Sequence, residues 1–261
     1  MRILVTGATG TVGRHVITHL AAADIEVRAL TRNPETAALP AQVEVVRGDL
    51  DNPDPQVFEA VDRMYLLAMG DTRLAVRQAK QAGVRRIVTL SSAAQDDFHR
   101  GMEKIVQDSG LEWTHVRPGM FMANLRDWAD GVRKGVVREP YAQARQAPVH
   151  EADIAAVAAE ALLTDDHVRQ IHTLSGPESL TKPEQVRAIA RALGRPVEFE
   201  EVTPDQWRAQ VKDTMPDFVT EFLLAIWATA DEPVLPGVGN VLGRPAKTLA
   251  EWTADHIADF R

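Results

Sequence analysis

The chain has 261 residues, a formal net charge of −8 and no cysteine. Without cysteine it can form no disulfide, no thiolate metal site and no cysteine nucleophile. The negative charge disfavours nonspecific binding to nucleic acid or to an anionic membrane, because phosphate groups are repelled on average. A chain of this length can bury a substantial core, as one α/β domain or as a large domain with a small appendage.

The first residues and the lengths of the apolar stretches indicate the cellular location of the protein. The first residues read as a core strand rather than as a charged and apolar leader, and no uninterrupted apolar stretch reaches the ~18 residues that a membrane span requires. We therefore expect a cytoplasmic protein with neither a nucleic acid nor a membrane as partner.

The first predicted strand, Ile3–Val5, leads into a glycine-rich turn that spans residues 6–13, and a predicted helix follows. Gly7 permits backbone angles that a side chain would oppose. Gly10 permits a close approach of the backbone to a pyrophosphate, and Gly13 lets the new helix pack against the strand. The free N–H groups of that helix attract an anion. We predict that this turn binds the phosphates of a dinucleotide; the alternative is a purely structural tight turn.

Apolar, β-branched runs alternate with helical patterns over the first half of the chain. This alternation predicts an α/β fold, a Rossmann-type doubly wound parallel sheet. The predicted strands are Ile3–Val5, Glu26–Leu30, Val43–Val46, Met64–Leu67, Arg86–Leu90 and Trp113–Val116. The predicted helices are Val12–Ala23, Pro55–Val61, Thr72–Ala82 and Arg100–Ser109. Gly83 and Gly110, which follow the last two helices, suit left-handed caps.

Beyond Pro118 the regular alternation weakens. Residues 123–147 are rich in Arg, Asp and Gly and predict a surface excursion. A helix with one apolar stripe is predicted over Glu151–Leu163. The segments Thr181–Glu184 and Thr203–Gln206 match the capping-box spacing, which predicts two more helix starts.

The sequence thus predicts two regions. Residues 1–122 form a dinucleotide-binding core, and residues 123–261 form a smaller, mainly helical region on the substrate side, packed on that core. Segments around residues 147–175 are expected to return to the core. Ligands of an open parallel sheet bind at the carboxyl ends of the strands, so we expect the substrate there.

The end of the second predicted strand bears on the choice of nicotinamide cofactor. An acidic residue at this position binds an unsubstituted ribose, whereas a cationic residue accommodates a 2′-phosphate. No carboxylate stands here, and Arg32 offers a planar, charged fork to a phosphate, with Thr31 or Asn33 adding hydrogen bonds. We therefore predict NADP(H), the alternative being a solvated arginine. Asp49, after the third strand, either accepts from the adenine amino group or serves only as a turn or cap residue.

Seven stretches together resemble the atypical short-chain dehydrogenase/reductases and, more narrowly, their NmrA-like NAD(P)-binding group with its NAD(P)H:quinone oxidoreductase-like members. The resemblance covers almost the whole chain. The stretches are residues 6–13, 48–50, 91–92, 109–114, 117–119, 175–181 and 193–196. They are specific for the family and not for a reaction.

The resemblance also implies cofactor contacts. In proteins of this kind the backbone after the fourth strand lines the nicotinamide ribose, and the segment after the sixth strand passes near the nicotinamide ring. With the glycine turn and the other strand ends, the expected cofactor-binding residues are Gly7, Thr9, Gly10, Thr11, Val12, Gly13, Arg32, Asp49, Leu50, Leu67, Ala68, Met69, Ser91, Pro118 and Met120.

Reductases of the wider superfamily usually carry a tyrosine acid and, four residues later, a lysine that lowers the tyrosine pKa and holds the ribose. The corresponding stretch, residues 97–104, holds no such pair. His99 with Glu103 four residues on does resemble some NmrA-like quinone reductases, and Asn124 matches an asparagine that those proteins carry. His99 and Asn124 are therefore our candidate catalytic residues.

An imidazole exchanges protons near neutral pH, so His99 can donate or accept a proton at the cofactor. Glu103, one helical turn away, is expected to orient it, the alternative being a surface pair. Asp97 is a weaker candidate acid. The remaining histidines show no spacing typical of a metal site, and no metal is predicted.

Aromatic side chains recur late in the chain. Trp207 and Trp227 lie on predicted helices, with Phe218, Phe222 and Ile226 at four-residue spacing. Such a stripe is more often core than the wall of a ligand site. An apolar floor between these helices and residues 120–122 would suit a planar or hydrophobic substrate such as a quinone or a polyketide-like aromatic.

Three functions remain open from the sequence. The first is an NADPH-dependent oxidoreductase that acts on a small hydrophobic, quinone or carbonyl substrate. The second is a non-catalytic NADP-sensing regulator, the one case in which we expect a protein partner. The third is a non-redox isomerase or cyclase on the same scaffold. A monomer or a homodimer fits each of them.

Overall fold

The computed structural model describes residues 1–67, 69, 72–94 and 96–261. The chain forms two compact units, each built from three stretches. The first unit comprises Met1–Gly119, Glu151–Leu174 and Pro236–Pro245. The second unit comprises Met120–His150, Ser175–Leu235 and Ala246–Arg261. The sequence predicts a boundary at residue 122 and a return to the core around residues 147–175, whereas the chain passes between the units at five points.

The described part of the chain contains eleven strands and ten α-helices. The strands are β1 (Arg2–Val5), β2 (Glu26–Thr31), β3 (Glu44–Arg47), β4 (Arg63–Leu67), β5 (Arg86–Leu90), β6 (Glu112–Pro118), β7 (Val136–Glu139), β8 (Arg145–Gln146), β9 (Gln170–Leu174), β10 (Leu180–Thr181) and β11 (Glu198–Glu201). The α-helices are α1 (Gly13–Ala22), α2 (Arg73–Gln81), α3 (Asp97–Asp108), α4 (Ala129–Lys134), α5 (Glu151–Leu163), α6 (Lys182–Leu193), α7 (Pro204–Val211), α8 (Asp217–Trp227), α9 (Gly237–Leu242) and α10 (Leu249–Asp255). Short 3₁₀ helices occupy Pro34–Thr36, Pro55–Phe58, Met122–Trp128 and Ile257–Phe260.

The first unit contains a seven-stranded sheet in the order β3-β2-β1-β4-β5-β6-β9. Every pairing in it is parallel, and the strand order reverses between β1 and β4. The predicted Rossmann-type doubly wound sheet is therefore confirmed. Because all the strands run the same way, their carboxyl ends share one edge of the sheet, which places the glycine turn, Arg32 and Ser91 along that edge.

Strand β9 was not predicted from the sequence. It is an edge strand that pairs only with β6 within the described chain. Its sequence is Gln-Ile-His-Thr-Leu, and the side chain of Ile171 is exposed. The sequence of an edge strand of mixed polarity does not show the apolar pattern that predicts a strand. The segment is a strand because it pairs with β6.

One apolar core of the first unit includes side chains from alternate positions of the central strands and from α2 and α3. The predicted helix at Pro55–Val61 is instead the short 3₁₀ turn Pro55–Phe58, whose Val57 and Phe58 belong to this core. Asp54 caps that turn by accepting a hydrogen bond from the backbone N–H of Gln56 at 3.0 Å. Gly83 and Gly110 adopt φ values of +92° and +78°, as expected for left-handed helix ends.

Helix α5 is confirmed at Glu151–Leu163, but it is buried on more than the one predicted stripe. It packs against α1, α9 and the central strands, so even its Asp153 side chain is enclosed. An ion pair to Arg244, 2.7 Å long, satisfies that carboxylate. None of the helices in the described chain has both the length and the apolarity needed to cross a bilayer.

The second unit combines helices with two small two-stranded sheets. Strands β7 and β11 pair in parallel, and β8 and β10 pair antiparallel. The predicted surface excursion at residues 123–147 is wrong, because Leu125, Val132 and Val137 are buried in the core of this unit. The charged residues dominate the composition of the segment, yet its apolar residues recur at a spacing that turns one face inward.

Helix starts in the second unit follow the predicted capping rule. Thr181 and Thr203 each accept from the backbone of the third helical residue, and the side chain of that residue returns the bond. A third capping box, at Thr248 with Glu251, was not predicted. Each such cap stabilises a helix by about 1 kcal/mol.

The expected aromatic core stripe on α8 is wrong for two of its three members. Phe218 and Phe222 are 77% and 47% exposed, while Thr220 and Leu224 form the buried side of the helix. Trp207 is buried as expected. The four-residue spacing places these side chains on one side of the helix, but it does not tell which side of an apolar helix faces the protein.

Candidate functional site

The glycine-rich turn between β1 and α1 has the geometry that its sequence predicts. Gly7 has φ of +60°, and a Cβ placed on it would lie 2.5 Å from Cδ2 of Leu67. A Cβ on Gly13 would lie 2.2 Å from the carbonyl oxygen of Gly7. Both distances are far too short for a side chain, so these two glycines are needed to bring α1 against the turn.

Gly10 differs from its two neighbours in the motif. A Cβ on Gly10 would meet, among the described residues, only the Gly7 carbonyl oxygen at 3.1 Å. The turn is closed by a 2.9 Å hydrogen bond from Gly10 N–H to that oxygen. In addition, no side chain of the described chain caps the start of α1. An uncapped helix start with clear space beside its glycine fits a pyrophosphate, whose oxygens would accept from the open N–H groups.

The carboxyl ends of β2 and β3 carry two arginines. Arg32 is exposed, and the described residues offer it no carboxylate partner. Arg47, which pairs in register with Thr31, donates to the Arg32 carbonyl oxygen at 2.7 Å and forms an ion pair with Glu35. The guanidinium of Arg32 therefore remains available to a phosphate. The guanidinium of Arg47 is already bound to the Arg32 carbonyl oxygen and to Glu35. Sequence reasoning missed Arg47, although it follows the predicted third strand directly.

The remaining predicted cofactor contacts of the first unit lie near the ends of β3 to β6. Asp49 is exposed and accepts from the backbone N–H of Asp51 at 3.0 Å, which is the turn role left open for it. Ser91 and Pro118 are buried directly at the ends of their strands. Met69 is 65% exposed. Ala68 lies outside the described residues.

Two predicted site residues belong to the second unit. Met120 is half-buried and packs against the apolar core of that unit. Asn124 is exposed on the 3₁₀ helix Met122–Trp128, where its N–H donates to the carbonyl oxygen of Phe121 at 3.1 Å. His99 is in the first unit, so the two candidate catalytic residues come from different units.

His99 lies in the first turn of α3, which follows the carboxyl end of β5. Its ring Nδ1 is 2.7 Å from Oδ2 of Asp96, and its backbone N–H donates to Oδ1 of the same residue at 2.9 Å. Asp96 is the N-cap of α3. The His99 side chain keeps 26% of its surface exposed, so the ring stays accessible. The carboxylate that orients His99 is therefore Asp96.

The expectation that Glu103 orients His99 is wrong. Glu103 is 3% exposed and accepts two hydrogen bonds from the guanidinium of Arg117, one of them 2.8 Å long at Nε. Burial acts to raise the pKa of Glu103, but several groups together outweigh it, first among them the hydrogen bonds from Arg117, and hold the pKa below its usual value. Side chains alternate between the two faces of a strand, and Arg117 lies on the face of β6 that α3 covers. The ion pair of Glu103 and Arg117 therefore links α3, the helix that carries His99, to β6.

His115, two residues before Arg117 on β6, is a second buried group beneath α3. Its ring stacks on Trp113 and Nε2 lies 3.2 Å from Nε2 of Gln107. Burial lowers the pKa of His115 to about 4, with the charge of Arg117 adding to the effect and that of Glu103 opposing it. The folded protein therefore resists protonation of this ring.

We expect this histidine to make stability fall in mild acid. The unfolded chain takes up the proton near pH 6.5 and the folded chain only near pH 4, so stability is full above pH 6.5 and declines as the pH falls between these values. At pH 5 the loss is about 2 kcal/mol. Urea unfolding at pH 7.5 and 5 measures it. His115→Gln should remove that part of the difference, and an unchanged difference would refute the assignment.

Asp97, the weaker candidate acid, is fully exposed and forms an ion pair with Arg100 at 2.7 Å. Across the described part of the chain, no three histidine, aspartate or glutamate side chains gather in a way that could hold a metal ion.

Comparison with known proteins identifies the family. Residues 7–165 match the model of a family described as NAD(P)H-binding. Over 99% of both chains, the protein is 39% identical to a (4-alkanoyl-5-oxo-2,5-dihydrofuran-3-yl)methyl phosphate reductase from Streptomyces griseus. It is 33% identical to an NAD(P)H azoreductase from Xenophilus azovorans, also over 99% of both chains.

A solved structure agrees with this assignment. An NADPH-dependent quinone oxidoreductase from Escherichia coli, in complex with NADPH, superposes with a TM-score of 0.84 at 25% identity, covering 98% of this chain and 99% of that one. The chain belongs to the NAD(P)H-binding family, and the NmrA-like resemblance is confirmed. It is an NAD(P)H-dependent oxidoreductase with NADP(H) as cofactor.

Proposed function

We propose that this protein catalyses the NADPH-dependent, two-electron reduction of a small conjugated electrophile, such as a quinone or an activated carbonyl compound, with His99 as the proton donor. The observation that carries the proposal is the pairing of His99 with Asp96 at the same sheet edge as the glycine turn. A held imidazole and an anion-binding turn at the carboxyl ends of one parallel sheet supply a proton and a cofactor site together.

The residues proposed to hold the cofactor have distinct tasks. The N–H groups at the start of α1 bind the pyrophosphate beside Gly10, and Arg32 binds the 2′-phosphate. The other proposed contacts are Gly7, Thr9, Thr11, Val12, Gly13, Asp49, Leu50, Leu67, Ala68, Met69, Ser91, Pro118 and Met120. Support comes from the open helix start and from the unpaired Arg32 among the described residues.

In the reductive step, bound NADPH supplies a hydride. The electron pair that arrives with it leaves negative charge on an oxygen or nitrogen of the substrate, and Nε2 of His99 delivers a proton to that atom. Solvent then restores the proton to the ring, whose surface is partly exposed. Asn124 remains a predicted catalytic residue, and the kcat of Asn124→Ala tests it.

The missing tyrosine and lysine and the names of the relatives support this substrate class. A furanone phosphate, an azo compound and a quinone, which the relatives are named for reducing, are conjugated acceptors. Such acceptors delocalise the incoming charge, so they need less acid assistance than a simple ketone. A single imidazole is a sufficient acid for this chemistry, whereas a simple ketone would call for the absent pair.

Incubation of the purified protein with NADPH and a panel of quinones and activated carbonyl compounds tests the proposal. We expect loss of reduced-nicotinamide absorbance together with two-electron-reduced products by mass spectrometry. Product formation without NADPH loss would instead support the isomerase or cyclase. Tight NADP binding without conversion of any substrate, together with capture of a protein partner, would support the regulator.

Arg32→Asp is expected to raise the Kd for NADPH by about 10- to 100-fold and to change the Kd for NADH by much less, because a charge-assisted bond to the 2′-phosphate is lost. Fluorescence titration of both nucleotides measures the ratio. Arg85→Asp is the matched control, since Arg85 is an exposed arginine just before the amino end of β5, paired with Asp62. Equal weakening of NADPH and NADH by Arg32→Asp would contradict the 2′-phosphate site.

The cytoplasmic location and the monomeric or homodimeric state remain predictions. Cell fractionation and light scattering, respectively, would test them.

A further inference from the structure

We propose that Asp96 is the positioning residue of the reductive step, holding a hydrogen on Nδ1 of His99 so that Nε2 is the ring atom that takes up and delivers the transferable proton. The inference rests on the proposed role of His99 and adds a residue that the glycine motif, the missing pair and the family resemblance do not indicate.

The geometry around Asp96 divides its two oxygens between two tasks. Oδ1 accepts from the backbone N–H of His99 at 2.9 Å, which caps α3, and Oδ2 lies 2.7 Å from Nδ1 of the ring. An ionised carboxylate can only accept hydrogen bonds, so Nδ1 must carry a hydrogen. The neutral ring therefore has its lone pair on Nε2, and the charged ring has its transferable proton there.

Asp96 also stays ionised over the pH range in which an imidazole works. Its burial acts to raise its pKa, but the hydrogen bonds from the backbone and ring of His99 and the charge of that ring hold the pKa below its usual value. The carboxylate thus keeps accepting from Nδ1 before and after the transfer. It does not take up the proton itself.

The proton step balances without a further reactant. The N–H bond at Nε2 breaks and its electron pair stays on the ring, while a new O–H or N–H bond forms on the substrate atom that carries the charge of the hydride. NADPH is the reductant, and the substrate gains two electrons. Solvent then returns a proton to Nε2.

The pair of Asp96 and His99 differs from the nearby acidic side chains of α3, Asp97 and Glu103, because each of those two is paired with an arginine. Asp97 is bound by Arg100 and fully exposed, and Glu103 is held by Arg117 on β6. The ring of Phe98 meets the His99 ring edge-on, with their centroids 5.2 Å apart. The ring of His99 is thus fixed on two sides, by a carboxylate and by an aromatic edge.

Asp96→Asn tests the proposal, because asparagine caps helices as well as aspartate does. Its oxygen can keep the bond to the backbone N–H, but its amide group then donates towards Nδ1, which drives the hydrogen of the neutral ring to Nε2. In the nucleotide-free protein we expect ¹⁵N NMR of the histidine ring to show the Nδ1–H tautomer in the wild type and the Nε2–H tautomer in the variant. With NADPH and a quinone, kcat should fall about 10- to 100-fold with little change in the KM for NADPH.

Asp54→Asn is the matched control. Asp54 caps the 3₁₀ turn Pro55–Phe58 by the same type of bond, accepting from Gln56 N–H at 3.0 Å, and no described hydrogen bond or ion pair joins it to a histidine. It should leave kcat unchanged. A comparable fall of kcat in both variants would show a general effect of cap replacement and overturn the proposal.

The double variant Asp96→Asn/His99→Asn separates this inference from the proposed function. If Asp96 acts through His99, the double variant has the kcat of His99→Asn alone. Wild-type kcat in Asp96→Asn, an unchanged tautomer, or an equal loss with and without His99 would each overturn the positioning role. Wild-type kcat in His99→Asn would instead overturn the proposed function.

Discussion

Replacing His99 by asparagine is expected to lower kcat by about 10²- to 10⁴-fold with an activated carbonyl substrate, which is the range of a lost general acid. With a quinone the loss should be smaller, on the order of tenfold, because the reduced oxygens are better stabilised anions and need less acid assistance. The Kd for NADPH should not change, since His99 is proposed to serve the substrate. Steady-state rates with both substrate types and a fluorescence titration of NADPH provide the measurements.

His167→Asn is the control for this prediction. His167 belongs to the first unit, and it lies just before the amino end of β9, away from the edge that carries the glycine turn. We expect wild-type kcat from it. A loss in His99→Asn that is the same for carbonyl and quinone substrates would contradict the role of proton donor and favour a disturbed helix.

Replacing Glu139 by glutamine should destabilise the protein by about 3–5 kcal/mol, the usual cost of leaving one member of a buried ion pair alone. Glu139 is 7% exposed and accepts a hydrogen bond from Nζ of Lys182 at 3.0 Å. It also accepts from two indole N–H groups, that of Trp128 at 3.1 Å and that of Trp207 at 3.2 Å. Nζ of Lys182 also lies 3.4 Å from the ring centroid of Trp227. Burial lowers the pKa of Lys182, which Glu139 opposes, so without Glu139 a charged amine is enclosed without its partner carboxylate.

Urea unfolding of Glu139→Gln, Lys182→Met and the double variant measures this network. The double variant should lose less stability than the two single variants together, because it removes both buried charges at once. The control is Glu200→Gln, which breaks the neighbouring exposed pair of Arg138 and Glu200 and should cost less than about 1 kcal/mol. Additive losses in the double variant would show that the two side chains act independently.

Much of the fold follows from local patterns in the sequence. Buried strands such as Arg86–Leu90 are mostly apolar or β-branched. Gly7 and Gly13 mark a turn in which a Cβ would lie only 2.5 Å and 2.2 Å from the nearest atoms. Strand β9 and the interior face of residues 123–147 could not be found in this way. They are defined by partners distant in the sequence, and their polar neighbours hide the apolar positions.

In the candidate site, too, the sequence did not predict the partners of single residues. The predicted helix began at Arg100, so Asp96 lay outside it, whereas α3 begins at Asp97 and makes Asp96 its cap. The aspartate three residues before His99 is the sequence pattern that could have predicted this helix cap. The spacing of His99 and Glu103 was real but gave the wrong pairing, because the side chain of Arg117 comes from another element and binds Glu103.

The five passages of the chain between the two units have a consequence for dissecting the protein. Helix α5 and strand β9, which complete the parallel sheet and cover one of its faces, come from the stretch Glu151–Leu174. A fragment cut after the sixth strand would expose the edge of β6 and leave the apolar surface beneath α5 uncovered. The first unit therefore cannot be expressed, swapped or grafted as a simple N-terminal piece, and a minimal version would have to be built by joining three separate segments.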